Sequence, residues 1–218
     1  MYTVLDNILG AEGLRQTRQY LANADFRDGR TTAGPEAGRV KNNLQLDSEV
    51  HKDFIDRISQ TIMQHDAFQR TVSPRSMKRV LISRYQDAME YGLHVDDAIM
   101  GELRTDVSFT LFLNNPEEYT GGELEIHDGS GDRQVKLAAG SMVIYPSGAL
   151  HRVRPVIEGQ RDAAVGWSQS LVRDPRQREI LGDIQALKGA LIAEGASSDR
   201  VNLLMKTQTN LKRLWCEH

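Results

Sequence analysis

The first part of the chain, up to about residue 74, carries the hydrophobic spacing of amphipathic helices. Apolar side chains return every three or four residues in "GAEGLRQTRQYLANADF" and again in "SEVHKDFIDRISQTIMQH", which predicts two helices. Ser48 precedes the second run and is predicted as its N-cap. Between them, "RDGRTTAGPEAG" predicts a loop that runs into a short strand in "RVKNNLQL". The predicted helix faces are Leu14, Thr17, Arg18 and Leu21, then Val50, Phe54, Ile58 and Ile62.

The hydrophobic period shortens from about residue 78 to residue 172. Short runs rich in β-branched and aromatic residues follow one another, separated by turn signals such as "NNPEEYTGG", "DGSGD" and "IEGQ". Closely spaced antiparallel strands of this kind predict a sandwich or a jelly-roll barrel. The runs are "MKRVLISRYQ", "SFTLFLN", "GGELEIHD", "RQVKLAA", "SMVIYP", "LHRVRPV" and "DAAVGWSQSLV".

The last part of the chain returns to helical spacing. Asp174 followed by Pro175 predicts a helix start, and "EGASSD" separates that helix from a final one. The final helix carries an apolar stripe that is expected to pack on the barrel or on a partner subunit, which leaves a homodimer open. The chain therefore predicts an α+β fold: N-terminal helices (1–77), a jelly-roll core (78–173) and C-terminal helices (174–218). The stripe consists of Val201, Leu204, Leu211 and Trp215.

Composition narrows the class of protein. The 218 residues carry a formal net charge of −3, which gives no electrostatic footprint for nucleic acid or an acidic membrane. Cys216 is the one cysteine, so no disulfide can form within the chain and a reducing compartment is expected. No signal peptide and no apolar stretch of membrane-spanning length is visible. These features predict a cytoplasmic protein without nucleic-acid or membrane partners.

The segment "EYGLHVDDAIMG" invites metal chemistry because it sets His94 two residues before Asp96. The dipeptide spacing alone is a weak signal. On extended backbone, however, side chains at i and i+2 point to the same face, so one metal ion could reach an imidazole nitrogen and a carboxylate oxygen. A tight site then needs a third ligand from a neighbouring strand.

Among the other histidines, His151 is the best placed to supply that ligand. It alternates with Arg152 and Arg154 in "ALHRVRPV", which predicts that His151 points inward and the arginines outward. A buried histidine with a purely structural role remains an alternative for it. The remaining candidates are His51 and His65 in the helical part, His127 on the outward face of its strand, and His218 at the end of the sequence.

Arg161 supplies the second signal. Alternation in "RDAAVGWSQS" places Arg161 and Trp167 on one inward face with two small residues between them. A buried arginine needs an anionic partner, so a ligand carboxylate is attractive there, with an ion pair to Glu158 or Asp162 as the alternative. Two histidines, one carboxylate and such an arginine fit an iron site that holds a dicarboxylate.

In these motifs the sequence resembles the Fe(II)- and 2-oxoglutarate-dependent dioxygenases of the prolyl 4-hydroxylase-like branch. "RYQDAMEYGLHVDDA", "YTGGELEI", "LAAGSMVIYPSGALHRVRPV" and "WSQSLVRD" are similar to the PKHD-type hydroxylases, as is "DGRTTAGPEAGRVKNNLQL". The resemblance spans nearly the whole chain and implies a double-stranded β-helix core. One departure lies in the turn after Tyr85, where an expected glycine is missing and Asp87 stands instead; aspartate tolerates positive φ better than most residues.

The resemblance also implies the roles of individual residues. Iron would be held by His94, Asp96 and His151, and the distal carboxylate of 2-oxoglutarate by Arg161 with help from the Tyr85 hydroxyl. The remaining implied positions are Tyr91 on the substrate side, Trp167 as a wall of the co-substrate pocket, and Tyr145 and Ser147, which are expected to be structural.

The implied reaction hydroxylates a substrate C–H bond while 2-oxoglutarate is decarboxylated to succinate and CO₂, with ascorbate as a further cofactor to consider. The substrate would be a peptidyl proline or a small molecule such as an iron chelator, contacted by loops in "TTAGPEAGRVKNN" and "DDAIMGELRT". A nucleic-acid demethylase is disfavoured because Trp167 occupies the position of that branch's second arginine. A cupin-like metal protein and a non-enzymatic binding module remain alternatives.

Overall fold

A computed structural model describes residues 2–32, 34–128 and 131–217. His218 and part of the predicted "DGSGD" turn lie outside these residues. The helices are α1 (Gly10–Leu21), α2 (Pro35–Gly38), α3 (Lys52–Gln64), α4 (Asp66–Val72), α5 (Pro175–Ala193) and α6 (Ser198–Trp215), with 3₁₀ turns at Gly29–Thr32 and Pro116–Glu118.

Strands alternate with short turns through the middle of the chain, as the period-two pattern predicts. Their bounds are β1 (Thr3–Leu5), β2 (Phe26–Asp28), β3 (Lys41–Asn42), β4 (Leu44–Leu46), β5 (Pro74–Met77), β6 (Leu81–Tyr85), β7 (Glu90–His94), β8 (Ile99–Met100), β9 (Leu103–Arg104), β10 (Val107–Phe112), β11 (Tyr119–Gly121), β12 (Leu124–Asp128), β13 (Gly131–Val135), β14 (Met142–Pro146), β15 (Leu150–Val153), β16 (Val156–Gly159) and β17 (Arg161–Ser170).

Two antiparallel sheets pack against each other. The larger has eight strands in the order β1-β14-β10-β17-β6-β4-β2, with β5 added on β17. The smaller has the order β13-β12-β15-β7-β3. Two ribbons, β11–β16 and β8–β9, complete the strand pairs. Antiparallel sheets flanked by helices confirm the predicted α+β class.

Strand β10, in the interior of the larger sheet, is covered on both faces, because all six of its residues are buried. Phe109 and Leu111 pack with the helices on one side, whereas Phe112 packs between the two sheets on the other. Ser108 and Thr110 share the inner face with Phe112. Two apolar cores therefore lie on the two sides of one sheet, and the inner one surrounds the polar side chains described below.

Helices α1, α3 and α4 cover the outer face of the larger sheet. The predicted face of the second helix is confirmed at Phe54, Ile58 and Ile62, which are all buried. Ser48 does not cap this helix, which begins at Lys52; Asp47 instead accepts the backbone N–H groups of the following turn. Val50 lies in that turn and is exposed.

The segment "RVKNNLQL" forms two strands rather than one. Strand β3 pairs with β7 in the smaller sheet, and β4 pairs with β6 in the larger. The chain therefore crosses from one sheet to the other at residues 41–46 and closes one side of the space between them. The N-terminal part thus contributes strands to both sheets in addition to its helices.

The C-terminal helices form an antiparallel pair that attaches through α5 to α4. The Asp174 cap is confirmed, since its carboxylate accepts the backbone N–H of Arg176 at 2.8 Å. The stripe on α6 is half-buried and packs mainly on α5. No helix within the described ranges is both long enough and apolar enough to cross a membrane.

Candidate active site

Three of the predicted side chains meet at the inner face of the smaller sheet. His94 ends β7, and His151 lies directly opposite it on β15. Asp96 follows two residues after His94, and its carboxylate oxygens lie 3.9 Å from His94 Nε2 and 3.8 Å from His151 Nε2. One ligand atom from each residue falls within 4.8 Å of the others, which is a spacing that could hold a metal ion.

Backbone carbonyls fix the orientation of both imidazole rings. The Nδ1 of His94 lies 2.8 Å from the carbonyl oxygen of Gly92, and the Nδ1 of His151 lies 2.9 Å from that of Ala149. A carbonyl oxygen only accepts, so each Nδ1 carries the proton and each Nε2 presents its lone pair to the shared space. This is the arrangement in which histidine binds metals.

The carboxylate of Asp96 is held in a similar way. Ser108 on β10 donates its hydroxyl to Asp96 Oδ2 at 2.6 Å, and its own oxygen lies 2.8 Å from Ser147 Oγ. Ser108 and Ser147 are each 2% exposed or less. Ser147, which was expected to be structural, therefore supports the carboxylate through Ser108.

Electrostatics keep this group of residues ready to bind a cation. Burial and the neighbouring His151 lower the pKa of His94 to about 4, so its imidazole is neutral at physiological pH. Burial together with the charge of Asp96 raises the pKa of Tyr145 well above its ordinary value, so that phenol keeps its proton.

Arg161 is the largest fully buried side chain in the described part of the chain, at 1% exposed. Its three guanidinium nitrogens have no hydrogen-bond partner among the described residues. The alternative of an ion pair to Asp162 is excluded, because Asp162 faces away and binds Arg84 at 2.8 Å. Neither does Glu158 pair with Arg161. A buried, unpaired guanidinium is costly unless a ligand anion satisfies it.

Aromatic rings surround this guanidinium. Its carbon lies 5.3 Å from the ring centre of Tyr85, the residue opposite it on β6, and 5.2 Å from that of Phe112. Tyr119 is also buried and its hydroxyl has no hydrogen-bond partner in the described ranges. Burial raises the pKa of Tyr119, while the charge of Arg161 and the approach of its guanidinium to the phenol oxygen act in the opposite direction, although the two groups do not form a hydrogen bond of normal geometry. The sequence pattern missed Tyr119 because it lies in a stretch read as a turn.

A cavity of about 420 Å³ extends from the three metal-type ligands to the surface. Tyr91 stacks on the ring of His94 at a centroid distance of 3.7 Å, and Tyr145 meets the ring of His151 edge-on at 5.0 Å. Trp167 lies opposite Ser108 and lines the cavity with its indole N–H unpaired among the described residues. Both predicted substrate loops contribute residues to the wall.

The crossover segment adds polar residues that the sequence pattern did not single out. Lys41, Asn43 and Gln45 are each 5% exposed or less and line the cavity. Period-two alternation in "RVKNNLQL" would have placed all three on one face. The alternation in the sequence could therefore have identified this polar face.

The other histidines lie elsewhere. His51 contacts the Tyr20 hydroxyl at 2.8 Å, and His65 separates α3 from α4. His127 faces outward as predicted, where it forms a second compact group with Glu125 and Asp132 on the outer surface of the smaller sheet.

The turn that lacks the expected glycine adopts left-handed backbone at two positions. Asp87 has a φ of 51° and Ala88 a φ of 62°. The tolerance predicted for Asp87 is therefore used, while Ala88 carries strain that a glycine would relieve.

Comparisons with known sequences identify the family, and comparisons with solved structures identify the fold. The model for the 2OG-Fe(II) oxygenase superfamily matches residues 80–169. A PKHD-type hydroxylase from Acaryochloris marina is 47% identical, with 100% of each chain covered. The crystal structure of a Pseudomonas putida prolyl-4-hydroxylase superposes with a TM-score of 0.55 at 20% identity, covering 77% of this chain and 92% of that one. A structure of HygX from Streptomyces hygroscopicus with nickel, 2-oxoglutarate and hygromycin B superposes with a TM-score of 0.56 at 13% identity, covering 78% and 84%.

The fold and this group of side chains define a double-stranded β-helix oxygenase that uses Fe(II) and 2-oxoglutarate. The chain belongs to the PKHD-type hydroxylases within the 2OG-Fe(II) oxygenase superfamily. The resemblance read from the motifs is thereby confirmed, and the protein is a dioxygenase rather than a cupin-like metal protein or a non-enzymatic binding module.

Proposed function

We propose that this dioxygenase hydroxylates an aliphatic C–H bond with Fe(II) held by His94, Asp96 and His151 and 2-oxoglutarate anchored by Arg161. The observation that carries the proposal is the fully buried guanidinium of Arg161, which has no hydrogen-bond partner in the described ranges and lies against Tyr85, a residue that lines the same cavity as the three ligands. A dicarboxylate bound to the metal at one end and to Arg161 at the other fits both groups.

Each side chain of the site has a separate role in this proposal. The Nε2 lone pairs of His94 and His151 and one oxygen of Asp96 would hold Fe(II) and leave coordination positions free for 2-oxoglutarate and O₂, as in other two-histidine, one-carboxylate iron sites. Tyr85 and Tyr119 border Arg161 and give the far carboxylate two phenols beside the guanidinium. Trp167 walls the pocket, and Tyr91 fixes the plane of His94 by stacking on it.

Bound Fe(II) with 2-oxoglutarate and O₂ supplies the oxidising power. One oxygen atom enters the substrate as C–OH, the other enters succinate, and CO₂ leaves. The part of this chain is to bind and orient both substrates and to exclude bulk water, which the apolar walls between the sheets support. Ascorbate would serve only to keep the iron reduced.

For the prime substrate we propose a peptidyl proline or a small molecule such as an iron chelator. The neighbour from Pseudomonas putida is described as a prolyl-4-hydroxylase, and HygX holds hygromycin B. A cavity of about 420 Å³ accommodates a small molecule or one side chain with its flanking peptide groups. The net charge of −3 and Trp167 at the position of the second arginine speak against nucleic acid.

The proposal extends to the cellular location and the oligomeric state. The single cysteine supports a cytoplasmic location. The exposed Leu187, Ile192 and Leu214 on the C-terminal helices support a homodimer through these helices, which light scattering of the purified protein would test.

The central test follows succinate in the Fe(II)-loaded protein with 2-oxoglutarate, with and without O₂. Oxygen-dependent succinate above background is expected, and it should rise when the correct compound is added from a panel of proline-containing peptides and iron chelators. The absence of oxygen-dependent succinate under every condition would show that the proposed function is wrong.

A further inference from the structure

Lys41 places a second buried cation beside the candidate active site. It lies on the edge strand β3, directly opposite Tyr91 on β7, and is 5% exposed. Its Nζ lies 5.3 Å from the ring centre of Tyr91, whose other neighbour in the stack is the ring of His94 at 3.7 Å. Lys41 also lines the cavity. Its ammonium group is therefore separated from a candidate metal ligand by one aromatic ring.

Among the described residues, this ammonium group has no carboxylate to pair with. In the described part of the chain, Lys41 forms no ion pair, and its polar contact is a hydrogen bond to Thr32 Oγ1 at 2.9 Å. The acidic residue that acts on its charge is Asp28, whose carboxylate is already occupied by Arg30. Burial lowers the pKa of Lys41 to about 8, which leaves it mostly protonated at neutral pH. A buried cation without a counter-charge is unfavourable unless a ligand anion completes it.

The surroundings hold Lys41 in place. Thr32, its hydrogen-bond partner, also contacts the side-chain oxygen of Gln45, and Gln45 Nε2 donates to Ser83 Oγ at 3.2 Å. A Cβ on Gly29 would lie 2.0 Å from Asn43 Oδ1, so the glycine permits the loop that carries Thr32 to approach the crossover segment. These contacts tie the position of the lysine to both sheets, as expected of a binding group and unlike a mobile surface lysine.

Lys41 and Arg161 occupy different walls of the fold. Arg161 begins β17 in the larger sheet and is surrounded by Tyr85 and Phe112, whereas Lys41 lies at the free edge of the smaller sheet next to Tyr91. Exposed apolar side chains, Val95 and Ile99, lie on the loop that borders the cavity. A ligand with an apolar body and one carboxylate matches this combination of apolar border and buried ammonium.

We propose that Lys41 is a specificity residue, which binds a carboxylate of the prime substrate and so positions the substrate C–H bond next to the metal. The inference rests on the proposed function in that the cavity must accept a substrate beside bound 2-oxoglutarate. It narrows the substrate class to molecules that carry a carboxylate close to the carbon that is hydroxylated.

Binding of matched acid and amide probes tests the proposal without turnover. The protein is loaded with Mn(II) and 2-oxoglutarate under argon at pH 7 and titrated calorimetrically with N-acetyl-L-proline or its amide, and with benzoate or benzamide. The wild-type protein should bind at least one acid about tenfold more tightly than its amide, which is the gain expected of a charge-assisted hydrogen bond. Lys41→Met should reduce that preference to less than about twofold, and Lys41→Arg should keep part of it.

Lys78→Met is the control, because Lys78 borders the same cavity but is exposed. It should retain the preference for the acid. A wild-type protein that does not distinguish acid from amide, or a Lys41→Met protein that still does, would overturn the proposal.

A separate titration with 2-oxoglutarate alone identifies the source of the anion. Its Kd should change less than about threefold in Lys41→Met. If the affinity for 2-oxoglutarate falls tenfold instead, Lys41 binds the co-substrate and the substrate assignment is wrong. Failure of the proposed function is seen separately, as absent oxygen-dependent succinate in the wild-type protein.

Discussion

Two groups of metal-type ligands lie on opposite faces of the same small sheet, and only one has the character of a metal site. The inner group is His94, Asp96 and His151; the outer is Glu125, His127 and Asp132. In both groups the ligand atoms fall within 4.8 Å of one another. The two groups lie on different faces because Ile126 pairs with His151 on the inner face, whereas Glu125 pairs with Arg152 on the outer face.

The outer group is already neutralised by protein charges. Glu125 binds Arg152 at 2.7 Å and Arg154 at 3.2 Å, and the two ring nitrogens of His127 lie 3.1 Å from Glu125 and 2.5 Å from Asp132. Burial acts to raise the pKa of Glu125, but the hydrogen bonds from the arginines outweigh it and the net pKa is lowered. The oxygens of Glu125 are therefore engaged with cations before any metal arrives.

No described residue neutralises the inner group in this way. Its imidazoles are oriented by backbone carbonyls, its carboxylate accepts from a serine, and the described residues place no arginine or lysine in an ion pair with Asp96. The comparison teaches that residue type and spacing are shared by both groups, whereas the availability of lone pairs distinguishes them.

Removal of one carboxylate from each group should give the largest contrast. Asp96→Ala should lower affinity for Fe(II) by more than ~100-fold, since even supporting residues of metal sites cost 10–100-fold, and should abolish oxygen-dependent succinate formation. Asp132→Ala should leave both unchanged. Metal titration and chromatography of succinate measure the two effects. Equal metal loss in both variants would contradict the distinction.

Replacement of one arginine beside each group should also give opposite results. Arg161→Met should weaken 2-oxoglutarate binding roughly 100-fold, because the distal carboxylate loses its charged partner. Thermal stability should not fall, since no described residue forms an ion pair or hydrogen bond with the guanidinium. Arg152→Met should do the reverse: unchanged affinity and lower stability, because Glu125 loses an ion pair. Calorimetric titration and thermal unfolding report the two quantities. A stability loss in Arg161→Met with unaltered affinity would reject its role.

Lys41 allows a test through pH. Its folded-state pKa, about 8, lies below the ordinary 10.5, so the charged form is penalised by the fold. This penalty is complete below pH 8 and disappears as pH rises toward the unfolded-state value. Lys41→Met should therefore be more stable than wild type by roughly 3 kcal/mol at pH 7, with the difference shrinking by pH 9.5.

Chemical denaturation at the two pH values measures this change. The titratable side chains that interact with the charge of Lys41 are Asp28, Tyr91 and His94. A stability difference that is constant with pH would show that the ammonium group is not desolvated.

Loss of a supporting hydroxyl should have the smallest effect. Ser108→Ala removes the hydrogen bond to Asp96 and should weaken Fe(II) binding about tenfold. The affinity of the Fe(II)-loaded variant for 2-oxoglutarate should not change. Ser168→Ala is the control, because this buried serine donates to the Ser76 carbonyl instead. Fe(II) affinities of the two variants that are indistinguishable from each other would argue against a role for Ser108.

Much of the fold and of the site could be predicted because alternation is a local property. The inward position of His151, the outward position of His127 and the shared face of Arg161 and Trp167 all follow from period two. The prediction of Ser48 as the N-cap was wrong because the carboxylate of Asp47 accepts the backbone N–H groups of Glu49 and Val50 and so forms a turn before the helix begins. Tyr119 was not predicted because its position next to Arg161 depends on the packing of β17, which begins about forty residues further along the chain.

The sequence by itself determined the class of protein, the part of the chain that forms most of the strands and which of the site side chains face inward, since these depend on patterning and on motifs of short range. The tertiary structure decided which polar residues find partners. Arg84 binds Asp162, which leaves Arg161 without an ion pair among the described residues, and Arg152 and Arg154 bind Glu125. The segment "RVKNNLQL" divides between two sheets and so brings Lys41 beside Tyr91. These outcomes depend on charges from distant segments, and pairing between distant segments is set by packing rather than by any local period.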